Sequence, residues 1–212
     1  MTQKRMKVEK VHLIACGALA REIMVIREQS GLTHLDVHCL PAIWHNHPEK
    51  IAPGVKDAIG KARKAGFTRI FVAYADCGTG GALDKVLAEE GVARIAGPHC
   101  YAFFLGNAVF EARGDEDMTS FFLTDFLARQ FKAFVIEPLG LDRHPELRDA
   151  YFGHYKKIVY LAQTDDAELD EKAREAADWL GLAYERRLTG YGELADAVLA
   201  AGAPPQFASR RI

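Results

Sequence analysis

The chain of 212 residues has no long hydrophobic run, no surplus of either charge and only four cysteines. Uncharged apolar stretches such as "YAFFLGNAVF" (Tyr101–Phe110) fall short of the ~18 residues that a membrane-crossing helix needs, so a membrane partner is not expected. Lys and Arg number 27 against 29 Asp and Glu, for a net charge of -2, and without a basic excess there is no electrostatic footprint for nucleic acid. No apolar segment of signal type follows the charged start "MTQKRMKVEK", which makes the cytoplasm the expected location and reduced thiols the expected state. The Cys-x₂-Cys knuckles of zinc ribbons are missing, as are a Walker loop and a G-x-G-x-x-G fingerprint. A thiol or metal site, where there is one, must therefore be assembled from distant segments.

What is present is an ordinary globular composition, 49% apolar and 26% charged, with a regular rhythm. Short apolar runs ("KVHLIA", "HLDVHCL", "TRIFVAY", "VARIAG", "KAFVIEPL", "KIVYLAQ", "LAYERRL") alternate with amphipathic stretches such as "GVKDAIGKARKAG" and "AELDEKAREAADWLG". A long helix is expected around "SFFLTDFLARQF", and the tail "APPQFASRRI" reads as irregular. Strands alternating with helices of ten to fifteen residues predict an α/β fold of Rossmann-like, repeated βαβ units, with parallel sheet covered by helices on both faces. The expectation is a single α/β domain over 1–212, built from units at about 10–60, 66–130 and 131–205.

The spacing of the cysteines points to an internal duplication. Cys16-Gly17 is followed by His38-Cys39, and Cys77-Gly78 by His99-Cys100; both cysteine pairs are 23 residues apart. A third copy without cysteines is marked by Gln163 and Arg186, again 23 apart. Each cysteine falls at or just past an expected strand end. In a parallel sheet those ends share one edge, where such folds bind ligands.

Cys16 and Cys77 also open the helices that follow them, and a thiol at a helix N-terminus is biased towards thiolate, the form that binds metal or attacks an electrophile. Gly17, Gly78, Gly80 and Gly81 are candidate cofactor-binding positions, where backbone N–H groups approach an anion or a cluster sulfide. Any one cysteine is more simply read as a small buried hydrophobe, but the matched set favours ligation. Cys16, Cys77 and Cys100, with Cys39 or His99 as fourth, are the candidate ligands of a [4Fe–4S] cluster or a zinc ion, between which thiolate softness does not decide. His45, in "HNHPEK" after the second expected strand and on the same edge as the cysteines, is a candidate ligand or acid/base group, with His47 and Glu49, beside a plainer reading as turn. Asp76 is placed to orient a ligand or substrate, and Arg143, in "LGLDRHPEL", to hold an anion. Asp142 and His144 are expected to cap the helix opened by Pro145. The function expected is a metal-binding protein that acts on or senses a small molecule. A metal-free thiol enzyme with Cys77 as nucleophile is the alternative.

"IACGALAREI", "LPAIWHNHPEKI", "YADCGTGGALD", "RIAGPHCYAFF", "FFLTDFLARQF", "LGLDRHPEL" and "VYLAQT" resemble motifs of the domain of unknown function 1638 family, over about Val11 to Tyr191. The resemblance implies that Cys16, Cys77 and Cys100 belong to motifs, and it carries no activity. It does imply an association with corrinoid-dependent methyltransferases, and hence a second class of function. In that class the chain is a non-catalytic accessory protein that binds a methyltransferase or corrinoid protein through its aromatic helix. The same aromatic stripe suits a homo-oligomer interface or plain core. Three cysteines from successive α/β units is also the arrangement of quinolinate synthase-like enzymes, a likeness of fold alone.

Overall fold

The computed structural model describes residues 9–204; the charged start and most of the irregular tail lie outside the described residues. The chain divides into two compact units, Met1–Pro98 with Leu194–Ile212, and His99–Glu193.

The first unit runs β1 (Val11–Cys16), α1 (Ala20–Gln29), β2 (Leu35–Leu40), α2 (Ile51–Lys64), β3 (Arg69–Ala73), α3 (Ala82–Glu90) and β4 (Ala93–Arg94). Its four strands pair in parallel in the order β2-β1-β3-β4. Every residue of β1 is buried, as befits an inner strand covered on both faces. In α2 the buried Ile51, Val55, Ala58, Ile59 and Ala62 recur at helical spacing and form one apolar stripe, while the lysines and arginines fall outside it. Burial of each large aliphatic side chain contributes about 1.5–3 kcal/mol.

The second unit runs α4 (Ala102–Leu105), α5 (Asn107–Ala112), α6 (Gly114–Asp117), β5 (Ser120–Thr124), α7 (Asp125–Phe131), α8 (Arg148–Phe152), β6 (Lys157–Ala162), α9 (Ala167–Leu180) and β7 (Ala183–Leu188). The last helix, α10 (Gly192–Gly202), belongs to the first unit from Leu194 onward. The three strands are parallel in the order β5-β6-β7. Strand period two sorts β6 between two cores. Ile158, Tyr160 and Ala162 pack with Leu123, Ala128, Ala173 and Ala176, whereas Val159 and Leu161 pack with Phe122, Tyr101, Leu105 and Phe110. The side chain of Asp166 accepts the N–H groups of Glu168 and Leu169 to start α9, and Gly181, at φ +70°, ends it.

The α/β class and the parallel sheets thus stand, with the strand–helix–strand frame recurring at β1-α1-β2, β3-α3-β4 and β6-α9-β7. That recurrence is geometry and not ancestry, so the duplication stays a reading of the sequence. Three segments differ from their expected form. "SFFLTDFLARQF" is not one long helix: Ser120–Thr124 is strand, and the helix begins only at Asp125, with Thr124 as N-cap. Phe121 and Phe122 are consequently ring-packed within the unit against Phe152, Tyr155 and Tyr101 and do not form an exposed stripe. "KAFVIEPL" is not a strand; Lys132–Ile136 is a π-helix continuing α7. In "VARIAG" only Ala93–Arg94 pairs.

Candidate metal centre

In the first sheet the chain leaves β1 for β2 on one side and returns to β3 on the other. The crevice of such a sheet opens where the order reverses, beyond the carboxyl ends of β1 and β3. Cys16 is the last residue of β1 and is fully buried. Its sulfur accepts the N–H of Ala18 at 3.4 Å and caps the short 3₁₀ turn Gly17–Leu19. Gly17 is required there, because a Cβ at this position would stand 2.8 Å from the carbonyl oxygen of Leu40 and 3.1 Å from the amide nitrogen of Ala42. The strand end of β2 and the turn after it therefore press directly on the backbone behind Cys16.

That turn, Ala42–Asn46, carries His45 to the same place. His45 Nδ1 lies 3.5 Å from Cys16 Sγ, and the imidazole also hydrogen-bonds the Cys77 thiol. Desolvation alone would lower the histidine; the hydrogen bonds and negative charge of Cys16 and Cys77 outweigh it and push the pKa up to about 10. One side of His45 is open to water, which screens part of this attraction.

Cys77 follows β3 and is buried, with φ at +49°, the left-handed region that costs an L-residue roughly 1–2 kcal/mol. Among the described residues it is the non-glycine with positive φ, and strain of this kind collects at functional sites. The conformation is held from both sides. The N–H groups of Asp76 and Cys77 donate to the carbonyls of Gly97 and Pro98 at 3.0 and 2.9 Å. The Asp76 carboxylate accepts Thr79 Oγ1 at 2.6 Å and the amides of Gly81 and Gly80 at 2.9 and 3.2 Å. The Thr79 hydrogen bond holds Asp76 below its ordinary pKa; burial opposes it, and the two amides and Arg94 add to it. The N–H groups of Gly80 and Gly81, expected to meet an anion or sulfide, are thus already engaged, and Asp76 builds the turn that aims Cys77. Gly78, at φ +81°, takes a conformation that favours glycine.

Pro98, whose carbonyl accepts the Cys77 N–H, is followed two residues later by Cys100. One ligand atom each from His45, Cys77 and Cys100 lie within 4.8 Å of one another, a His/Cys/Cys group that could hold a metal ion. Cys16 is joined to this group through His45. Cys39 is different: it is exposed on β2, its pKa is raised by burial of the sulfur and then by the charge of Cys16, and it is not in the group. No disulfide joins any of the four. His47, neighbour of His45 in the sequence, pairs loosely with Glu49 at 3.6 Å.

Within the second unit, His99 stacks on Tyr101 at 4.9 Å and meets the edge of Phe110, an aromatic setting. Arg143 is largely exposed and stands 3.8 Å from Asp142. Neither Asp142 nor His144 caps the turn at Pro145: the N-cap His144 makes no side-chain capping bond and pairs instead with Glu146 at 3.2 Å. A residue that the sequence reading passed over is Asp125, fully buried at the end of β5. Its carboxylate accepts Tyr160 Oη at 2.7 Å, the Gln163 N–H at 2.9 Å and Thr164 Oγ1 at 2.7 Å, while Gln163 Oε1 accepts the Asp125 N–H at 2.7 Å. Its available signal was Thr-Asp at a strand-to-helix junction, a capping pattern.

Residues 39–198 match the model of a family described as "Protein of unknown function (DUF1638)". No curated protein and no solved structure matches the chain. Among the described residues, no helix is long and apolar enough to cross a membrane.

Proposed function

For a chain that belongs to the DUF1638 family, whose function is not assigned, we propose a thiolate–imidazole metal site, and zinc as the ion that fits it best. The observation that carries this reading is the convergence of Cys16 and Cys77 on one imidazole at the switch point of the first sheet. Cys77, Cys100 and His45 would hold the ion, with Cys16 orienting His45 or serving as the fourth donor. The donor set fits: Zn–S bonds of about 2.3 Å place tetrahedral ligand atoms roughly 3.8 Å apart, within the 4.8 Å spread of the group. A four-iron cluster sets its thiolates on separate irons and asks for a wider spacing, which makes it the weaker candidate. Bound there, zinc would supply Lewis-acid chemistry for a small molecule, provided one position stays open to it. The chain's own part is to fix the sulfurs: the Asp76 turn aims Cys77, the Gly17 contact seats Cys16, and His45 carries a proton until metal displaces it. The alternative, an accessory to a corrinoid protein or methyltransferase, draws no support from Phe122, which is buried, or from Phe121, which is partly buried.

Elemental analysis of protein purified without oxygen tests the proposal. The expected result is close to one zinc per chain, abolished by Cys77→Ser and Cys100→Ser and retained by Cys39→Ser. Iron with sulfide would replace zinc by a cluster, and absence of all metal would remove the reading. A second reading is favoured by the contacts of His45 with Cys16 Sγ, at 3.5 Å, and with Cys77: a thiolate–imidazolium pair with Cys77 as nucleophile. Selective alkylation of Cys77 by iodoacetamide at neutral pH, at a rate that chelators do not change, would establish that reading in place of the metal.

A further inference from the structure

The second unit contains a cavity of about 620 Å³, a size suited to a small molecule, walled by α7, the π-helix after it and one stripe of α9. We propose that this cavity is a second, independent binding site, and that its ligand is a small zwitterion with an aromatic side group, of the chemical class of the free aromatic amino acids.

The backbone is the first support. Helix α7 leaves helical geometry at Gln130 (φ -118°, ψ 20°), and Lys132–Ile136 widens into a π-helix in which the Glu137 N–H donates to the Lys132 carbonyl at 2.9 Å. Such insertions are rare and are frequent at functional sites. The second support is aromatic. Trp179 meets Phe131 edge to face, with centroids 6.5 Å apart at 74°, yet the indole is 41% exposed and both rings line the cavity. A half-covered indole is the kind of surface that a flat apolar group completes.

Charge supplies the third. Arg129 lies 3.6 Å from Asp125, too long for a hydrogen bond, and the Asp125 carboxylate already accepts three other donors. The planar fork of Arg129, ion-paired to Asp125 but without a hydrogen bond to it, therefore suits a carboxylate, with Lys172, itself paired with Glu168, nearby on the wall. Asp142 and Glu175 line the same cavity and would oppose a simple anion, but they complement an ammonium group. Lys172, Glu175, Ala176 and Trp179 recur at helical spacing on α9, so one face of a well-capped helix presents cation, anion, space and ring together.

Calorimetric titration of the full chain with phenylalanine, 3-phenylpropionate and phenethylamine is the test. Phenylalanine should bind saturably, and loss of either charged group should weaken binding at least about tenfold, the scale of a charge-assisted hydrogen bond. Trp179→Ala should abolish binding. Glu175→Gln, on the exposed side of α9, should bring phenylalanine down to the level of 3-phenylpropionate without disturbing the fold. Chelator treatment should leave the titration unchanged, which separates this site from the metal centre. Failure of phenylalanine to saturate at millimolar concentration, equal binding of all three probes, or undiminished binding by Trp179→Ala would overturn the proposal.

Discussion

The two units are built from the same parallel strand–helix–strand element and treat the ends of their strands in opposite ways. In the first, the order β2-β1-β3-β4 reverses between β1 and β3, and the space this opens receives two thiols and an imidazole on a strained backbone. In the second, β5-β6-β7 proceeds without reversal, and the junction of β5 with α7 is filled by a carboxylate whose oxygens are saturated by neighbouring side chains and backbone. One edge keeps reactive groups at a cost in backbone strain, while the other uses a buried polar network to fix strand to helix. Topology thus decides where a parallel sheet has room for chemistry, and the residues at the edge decide whether the room is used.

The largest effect that follows concerns Asp125. Asp125→Ala would leave the Tyr160 and Thr164 hydroxyls and the Gln163 N–H without their acceptor in a fully buried place, at a loss of roughly 3–5 kcal/mol of stability in urea unfolding. Tyr160→Phe, which removes one donor from the carboxylate, should cost about 1–3 kcal/mol. Metal content should be unchanged in both. A neutral or stabilising Asp125→Ala would break the comparison, because relief on removal of a polar group marks a site kept for function.

The next effect sharpens the other side. At φ +49°, Cys77 pays for its backbone conformation as any L-residue would, so Cys77→Gly should be more stable than Cys77→Ala by about 1–2 kcal/mol, although both remove the thiol. Equal stability of the two variants would mean that Cys77 is unstrained in solution.

Much of this was legible in the sequence, for reasons that also explain the misses. The alternation of apolar runs with amphipathic stretches announces parallel sheet, because β1 and β6 are apolar except for His12 and Lys157 and α2 and α9 carry clean stripes. The positions of Cys16 and Cys77 at strand ends were readable, as was His45 on the same edge. "KAFVIEPL" misled because Phe, Val and Ile suit strands by composition, whereas here Val135 and Ile136 are core residues of a helical turn. "SFFLT" ran into "DFLARQF" without a glycine or proline to separate them, and only the Thr124 cap marked the boundary. Asp125 falls inside the long helix expected around "SFFLTDFLARQF", where an acid reads as solvent-exposed, and its burial to 0% exposure arises from packing between segments far apart in the chain.

The smallest effect tests how the first edge is held. Asp76 is kept below its ordinary pKa of 3.8 chiefly by Thr79, so the stability it contributes is present above pH 3.8 and is lost as pH falls through its lower folded value. Asp76→Asn, which keeps an oxygen for Thr79 or one amide but gives up the charge, should cost about 1 kcal/mol at pH 7. The difference from the native chain in urea midpoint should persist down to about pH 4 and shrink in more acid solution. A difference that grew as pH fell would show that the carboxylate is not the group that closes the Cys77 turn. The strained thiol would then owe its position only to the amide bonds with Gly97 and Pro98.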